Sequence, residues 1–222
     1  MPMNAPAPLS RIEPRWPVVL AILAVLILLA ALPGRIMLFP AWFPYVVGIA
    51  VLAPIAAVAL ASASARWLRV ERTVTLLFAA AMVAGTLVNL ASLIGTMVRR
   101  SGEIGGLQLL TSSIGVWVTN VLAFSLLYWQ LDRGGPDARV NDATKKPDWL
   151  FPQTGTGYDA PPDWRPTFVD YLFLGFCTAT AFSPTDALPL TSRAKVLMML
   201  ESSISLMTIV VVASRAINIL GS

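Results

Sequence analysis

Long apolar segments separated by short charged breaks dominate the first part of this chain. The apolar segments run from Trp16 to Leu32, Leu38 to Ala61, Val74 to Val98 and Leu107 to Leu131. Each can cross a hydrocarbon core of roughly 30 Å at about 1.5 Å per helical residue. The pattern therefore predicts four spanning helices, and we expect tight turns at the membrane surface in the breaks 33–35, 66–72 and 99–106.

The pattern changes at Asp132, where a polar segment rich in Gly and Pro extends to Pro166. We expect this loop to lie outside the membrane without a core of its own, and we expect its aromatic side chains to lie at the headgroup level; they are Trp149, Phe151, Tyr158 and Trp164. Two apolar pieces of unequal length follow, Phe168 to Phe182 and Ala194 to Leu220. The second is long enough to span, whereas the first is too short and is typical of a re-entrant helix.

Composition supports a membrane protein. Hydrophobic residues make up 56% of the chain and charged residues 13%, and the mean hydropathy is +0.71. These values lie outside the usual balance of soluble domains. The net charge of +4 comes from basic residues scattered between apolar runs, a pattern that favours membrane orientation over nucleic-acid binding. We expect a multi-pass protein of a bacterial inner membrane, with the lipid bilayer as its partner.

Several kinds of chemistry are excluded. The chain has no histidine and a single cysteine, Cys177, so it cannot form an intramolecular disulfide, a His-containing zinc site or a Ser-His-Asp triad. The carboxylates nearest the short apolar piece are Asp170 and Asp186. Asp170 fits a capping pair with Thr167, and Asp186 fits the first turn of a helix that begins at Ser183. We expect no enzyme activity, no cofactor and no metal site.

The segment Thr178-Ala-Thr-Ala-Phe-Ser-Pro-Thr-Asp186 resembles the filter region of small bacterial potassium channels with two transmembrane helices. In that family a pore helix runs into T-x-T-T-V-G-Y-G-D, and a linker with Pro and Thr leads to the inner helix. Thr178, Thr180 and Asp186 coincide with the family's positions without a gap. The resemblance implies a channel-like fold, a homotetramer and a permeant ion. The same layout also resembles uncharacterised bacterial membrane-protein families.

The chain departs from the family where potassium selectivity is determined. The filter-like residues that the resemblance identifies are Thr178, Thr180, Ala181, Phe182, Ser183, Pro184, Thr185 and Asp186. Ser183 and Thr185 replace both glycines of the filter, and Pro184 fixes the backbone between them. Because those glycines allow the dihedrals that aim carbonyl groups at a potassium ion, we expect no potassium selectivity.

The resemblance and the apolar pattern together suggest a division of the chain. A tail (1–15) precedes a three-helix membrane region (16–100) and a pore-like domain (107–220). The pore-like domain consists of an outer helix (107–131), an extramembrane loop (132–166), a re-entrant helix (167–182), a filter-like segment (183–191) and an inner helix (194–220). The predicted fold class is an all-α integral membrane protein with about five transmembrane helices and one re-entrant pore-type helix.

Polar side chains also occur inside the last apolar segment. Glu201, Ser205 and Thr208 follow helical spacing and therefore share one face. They are candidates for pore lining or for a structural brace, and a carboxylate at the depth of Glu201 needs a partner.

Two functions remain open at this point. The first is an ion-channel-like pore lined by the re-entrant segment and the last helix, and the second is a non-conducting binding or regulatory protein that retains the fold. Orientation is open as well. The positive-inside rule predicts a cytoplasmic loop 132–166, whereas in potassium channels the corresponding loop lies outside.

Overall fold

The computed structural model of the protein describes residues 13–31, 43–60, 64–99, 106–142, 144–154, 161, 164–180 and 187–220. Its α-helices are α1 (Trp16–Ala31), α2 (Phe43–Leu60), α3 (Ala65–Arg99), α4 (Gly106–Leu131), α5 (Pro136–Asn141), α6 (Phe168–Thr180) and α7 (Ser192–Leu220). Two short strands, β1 (Trp149–Leu150) and β2 (Leu188–Pro189), pair antiparallel. The predicted helical character is confirmed for these residues, and the small sheet is an addition to it.

Three helices, α3, α4 and α7, contain stretches long and apolar enough to cross a membrane. The candidate spans Arg66–Gly95 and Ser192–Ser214 lie within α3 and α7, and the span Leu110–Asn141 begins in α4 and extends beyond its end to the end of α5. The apolar stretches of α1, α2 and α6 in the described ranges are shorter. The described residues thus contain three candidate spans, where the apolar pattern predicted about five.

α3 begins earlier than the sequence pattern predicted. The segment 66–72 was expected to be a turn, but the helix already starts at Ala65 and continues through it. The prediction was wrong because the segment contains no Gly or Pro, and Arg and Leu are strong helix formers. Its charges lie on the first turns of the helix, and Glu71 forms an ion pair with Arg15 there.

α4 is the central helix of the bundle. Every residue from Asn120 to Gln130 is buried, and α4 packs against α1, α3, α6 and α7. Small and polar side chains on this helix, such as Ser125, let its neighbours approach closely. The C-terminal end of α4, together with the residues that follow it, is called the loop end below.

α6 runs antiparallel to α4. Near the start of α6, the Tyr171 hydroxyl donates a hydrogen bond to Asp132 at the loop end, with an O–O distance of 2.6 Å. Further along, the ring of Phe176 lies 5.9 Å from the ring of Trp117, which is more than three turns back along α4. α6 therefore starts at the loop end and points toward the first half of α4.

α7 runs in the same direction as α6. Its Arg193 donates to the Leu131 carbonyl oxygen at the loop end, at 3.1 Å. Its Ser205 lies at the level of Asn120, whose amide nitrogen donates to the serine hydroxyl at 3.0 Å. Both α6 and α7 therefore begin at the loop end, and both are antiparallel to α4.

The loop between α4 and α6 packs into the protein core. Trp149 and Phe151 are almost fully buried, and their rings lie 4.8 Å from Tyr128 and 5.3 Å from Tyr171, respectively. The expectation that the loop aromatics lie at the headgroup level was wrong for Trp149 and Phe151. Packing against these rings stabilises the buried position, because Trp149 and Phe151 each lose most of their contact with water.

A tight turn at Gly134 and Gly135 reverses the chain after α4. Both residues have positive φ, +81° and +103°, which favours glycine. A Cβ atom on Gly135 would also lie 3.2 Å from the Gln130 carbonyl oxygen. The turn brings α5 and β1 back against the loop end.

Candidate functional site

Two of the three threonines among the filter-like residues, Thr178 and Thr180, lie on the last turn of α6. The Thr178 hydroxyl donates to the Leu174 carbonyl oxygen at 2.8 Å, and the Thr180 hydroxyl donates to the Phe176 carbonyl oxygen at 3.0 Å. Both hydroxyls therefore bond within their own helix. The other filter-like residues lie outside the described ranges; they are Ala181, Phe182, Ser183, Pro184, Thr185 and Asp186.

Glu201, Ser205 and Thr208 form one buried stripe on α7. None of the three is more than 2% exposed. The Asn120 amide of α4 donates to the Glu201 carbonyl oxygen at 3.1 Å as well as to Ser205. The stripe therefore faces α4 inside a single chain. This position favours the brace over the pore lining, since a lining residue has to face the pathway.

The Glu201 carboxyl group has few partners for its depth. The Tyr128 hydroxyl bonds to its Oε2 atom. Its Oε1 atom has no hydrogen-bond partner among the described residues, and the same holds for Oδ1 of the adjacent Asn120. A buried carboxylate without a cation is costly, so the protonated form is favoured.

α6 approaches this carboxyl group through Gly175. A Cβ atom there would lie 2.6 Å from the Ser125 hydroxyl oxygen and 3.3 Å from Glu201 Oε1, so the close packing requires glycine. On the next residue of α7, the Ser202 hydroxyl donates to the Thr178 carbonyl oxygen at 3.1 Å. Helices α4, α6 and α7 thus meet around Glu201, just before the end of α6.

A polar network at the loop end was not predicted from the sequence. Asp132 is fully buried and accepts hydrogen bonds from the Tyr171 hydroxyl at 2.6 Å and from the Asp148 backbone N–H at 2.7 Å. The only signal in the sequence is that Asp132 is the first charged residue after the apolar run of α4. That signal indicates a helix end but not the partners of the side chain.

Asp148 connects the loop to the start of α7. Its Oδ1 atom accepts hydrogen bonds from Arg193 Nε and from the Thr191 hydroxyl, each at 2.7 Å. Burial alone would raise the pKa of Asp148, but these hydrogen bonds and the guanidinium charge outweigh it, and the pKa is lowered from its usual value. The ionised carboxylate thus holds the beginning of α7 at the loop end.

Glu13, in the segment assigned to the tail, connects three other parts of the chain. Its Oε1 atom accepts hydrogen bonds from Trp129 Nε1 at 2.7 Å and from the Phe168 backbone N–H at 3.1 Å. Its Oε2 atom pairs with Arg139 at 3.1 Å. Because Phe168 is the first residue of α6, Glu13 satisfies one of the unpaired N–H groups at that helix start.

A second acidic side chain, Glu71 of α3, binds the segment that contains Glu13 and Arg15. Arg15 and Glu71 form a buried ion pair with a distance of 2.8 Å between Nε and Oε1. Glu71 belongs to the charged break that was predicted to be a turn. The ion pair explains how charges in that break are accommodated on a helix.

The described residues offer no evident metal ligand set. No group of three or more Cys, Asp and Glu side chains within those ranges is placed to hold a metal ion. The groups gathered around Glu201 are hydroxyls, an amide and one carboxyl group, which suit hydrogen bonding and proton exchange.

Comparisons with protein-family models, with curated proteins and with solved structures gave no match. The resemblance of the filter-like residues to potassium channels therefore stays a prediction.

Proposed function

We propose that the protein is a subunit of an oligomeric, channel-type membrane pore that is not selective for potassium. In this proposal α4 is the outer helix, α6 is the re-entrant helix and α7 is the inner helix. The segment between α6 and β2 takes the place of a potassium filter. The proposed location is a bacterial inner membrane, which the chain crosses several times.

The observation that carries this proposal is the common direction of α6 and α7. Since β2 pairs with β1 at the loop end, β2 lies at the same end of the bundle as the beginning of α6. A helix of 13 residues is about 20 Å long, which is shorter than a hydrocarbon core of roughly 30 Å. This length supports a helix that enters the bilayer without crossing it.

The pathway in this proposal avoids the buried stripe of Glu201. That stripe faces α4, so α7 would line the pathway with its opposite face. Met199, Ser203, Leu206 and Val210 are exposed in a single chain and follow helical spacing. One chain encloses no pathway by this face alone. The proposal therefore needs a homo-oligomer, and the resemblance to potassium channels suggests a tetramer.

A non-conducting binding or regulatory protein is the second candidate. It is favoured by the hydrogen bonds of Thr178 and Thr180, whose hydroxyls bond to their own helix. It is also favoured by the mostly apolar character of the exposed α7 face. An apolar face supplies few groups to replace the hydration shell of an ion.

Ion flux into liposomes that contain the purified chain tests the proposal. We expect flux of both sodium and potassium ions, and we expect it to be lost in Leu206→Trp, because the larger side chain would obstruct the pathway. The matched control is Leu77→Trp on α3, at a residue that is 65% exposed. This control should conduct like the wild type.

The mass of the protein in nanodiscs completes the test. A strictly monomeric protein would exclude the pore. A well-folded oligomer without flux would support the second candidate. Equal loss of flux in Leu206→Trp and Leu77→Trp would also contradict the proposed pathway.

A further inference from the structure

The buried carboxyl group of Glu201 lies where α4, α6 and α7 meet. It is fully buried, and its Oε1 atom has no hydrogen-bond partner in the part of the chain that the structure describes. Among the described residues, its one side-chain partner is the Tyr128 hydroxyl, which is also buried and neutral. A carboxyl group in this setting carries a proton, because no described side chain beside it compensates a negative charge.

The charged groups on the neighbouring elements are bound elsewhere. On α3, Glu71 pairs with Arg15, and at the start of α7, Arg193 is held by Asp148. The other acidic and basic side chains that the structure describes on α3, α4 and α7 lie on the first two turns of α3 or the first turn of α7; they are Arg66, Arg69, Arg72 and Lys195.

The remaining titratable groups that face this region belong to α6. The Tyr171 hydroxyl donates to Asp132. Cys177 is a buried thiol two residues beyond Gly175. Neither group supplies a positive charge to Glu201.

We propose that Glu201 and Tyr128 form a proton-binding site within the bilayer, and that the bound proton keeps α6 packed against α4 and α7. This inference goes beyond the proposed pore, and it holds whether or not the protein conducts ions. The ligand is the proton itself, which is exchanged with bulk solution. When it leaves, the Tyr128 hydroxyl is the remaining donor to the carboxylate.

The contact at Gly175 links the proton to the position of α6. With the proton bound, a neutral carboxyl group lies close to the α6 backbone, and no charge has to be buried there. After the proton leaves, the carboxylate lies against backbone in an apolar interior and needs water. Admitting water separates α6 from α7, and the neighbouring hydrogen bond between Ser202 and Thr178 is then lost.

Cys177 gives a direct measurement of this movement, because it is the only cysteine in the chain and is buried on α6. The experiment measures the rate of maleimide labelling of the full chain in nanodiscs from about pH 6 to about pH 9, where thiol ionisation also raises the rate. Glu201→Gln is the reference, because it keeps the shape of the side chain and cannot lose a proton. Thiol ionisation contributes to both proteins and cancels in the ratio of their rates.

The ratio of the wild-type rate to the Glu201→Gln rate should rise with pH. Below its midpoint the increase should be about tenfold per pH unit, since the ionised fraction of a carboxyl group grows by that factor. A ratio that stays constant over the range would overturn the proposal and leave Glu201 as a permanently protonated brace.

Tyr128→Phe provides a second test that retains the carboxyl group. Removing the hydroxyl removes a donor to the carboxylate, so the rise in labelling should move to higher pH. Tyr45→Phe, at an exposed residue of α2, is the matched control and should leave the rise unchanged. If Glu201→Gln does not fold, the comparison of Tyr128→Phe with Tyr45→Phe still tests the proposal. A labelling rate that rises at the same pH in Tyr128→Phe as in the wild type would refute the proton-binding site.

Discussion

Two regions of this protein contain buried acidic side chains with contrasting partners. At the loop end, Asp132 accepts hydrogen bonds from a hydroxyl and a backbone N–H, and Asp148 pairs with Arg193. Deeper in the bundle, Glu201 has the hydroxyl of Tyr128 and no cation among the described residues. The hydrogen bonds and the guanidinium group around Asp148 favour its ionised form, whereas the surroundings of Glu201 favour a neutral carboxyl group.

The partners of a buried acid determine its role. Acids with several donors or a cation connect chain segments, and removing one of them leaves the donors unpaired. An acid with a single neutral partner can gain or lose a proton with little rearrangement of other charges. The loop end is therefore expected to be the more sensitive region for stability, and Glu201 the more sensitive to pH.

The largest expected effect is at Asp132. Asp132→Ala should lower the free energy of unfolding by about 3 kcal/mol, because the Tyr171 hydroxyl and the Asp148 backbone N–H lose their buried acceptor. The measurement is denaturant unfolding in mixed micelles. Asp137→Ala, at an exposed residue of α5, is the control and should change the value by about 0.5 kcal/mol or less. Equal effects of the two substitutions would contradict a structural role for the loop-end acids.

An intermediate effect is expected at Gly175, where the second region depends on close helix packing. Gly175→Ala should destabilise the protein by about 2 kcal/mol, because the added methyl group would lie 2.6 Å from the Ser125 hydroxyl oxygen. Adding Ser125→Ala should recover part of that loss. Unfolding in the same micelles measures both.

Gly115→Ala is the matched control for Gly175. A Cβ atom at Gly115 has no neighbour within 4 Å, so this substitution should stabilise the helix by about 0.5–1 kcal/mol. If Gly175→Ala also stabilised the protein, α6 would not be packed against α4 as described.

Features set by local sequence could be predicted. The apolar runs gave α4, α6 and α7 to within a few residues, because length and hydrophobicity decide where a helix can lie in lipid. The capping pair was also correct, since the Thr167 backbone N–H and hydroxyl each donate to Asp170 at 2.8 Å. Such a pair spans three residues, so the sequence alone is enough to identify it.

Contacts between distant residues could not be predicted. Glu13 is separated from Phe168 by 155 positions, and no periodicity relates a tail residue to the start of α6. The need of Glu201 for a partner was predicted, but Tyr128 was not, because helical spacing gives the face of a residue and not the neighbouring helix. The filter-like residues 181–186 were identified by resemblance and lie outside the described ranges, so their prediction stands untested.

The smallest expected effect on the free energy of unfolding is at Asp148. Its pH dependence distinguishes the loop end from the region around Glu201. Its pKa in the folded protein lies below the usual 3.8, so the ionised form stabilises the fold above that pH, and this contribution is lost as the pH falls through the lowered value. Asp148→Asn should therefore lower the free energy of unfolding by about 1 kcal/mol at neutral pH, and the difference from the wild type should shrink below about pH 4. Arg193→Gln should follow the same course, because it removes the other half of the ion pair. If the difference in free energy of unfolding between Asp148→Asn and the wild type stayed the same below about pH 4, Asp148 would stabilise the fold through packing. Asp148 and Glu201 would then not differ in the charge of their carboxyl groups.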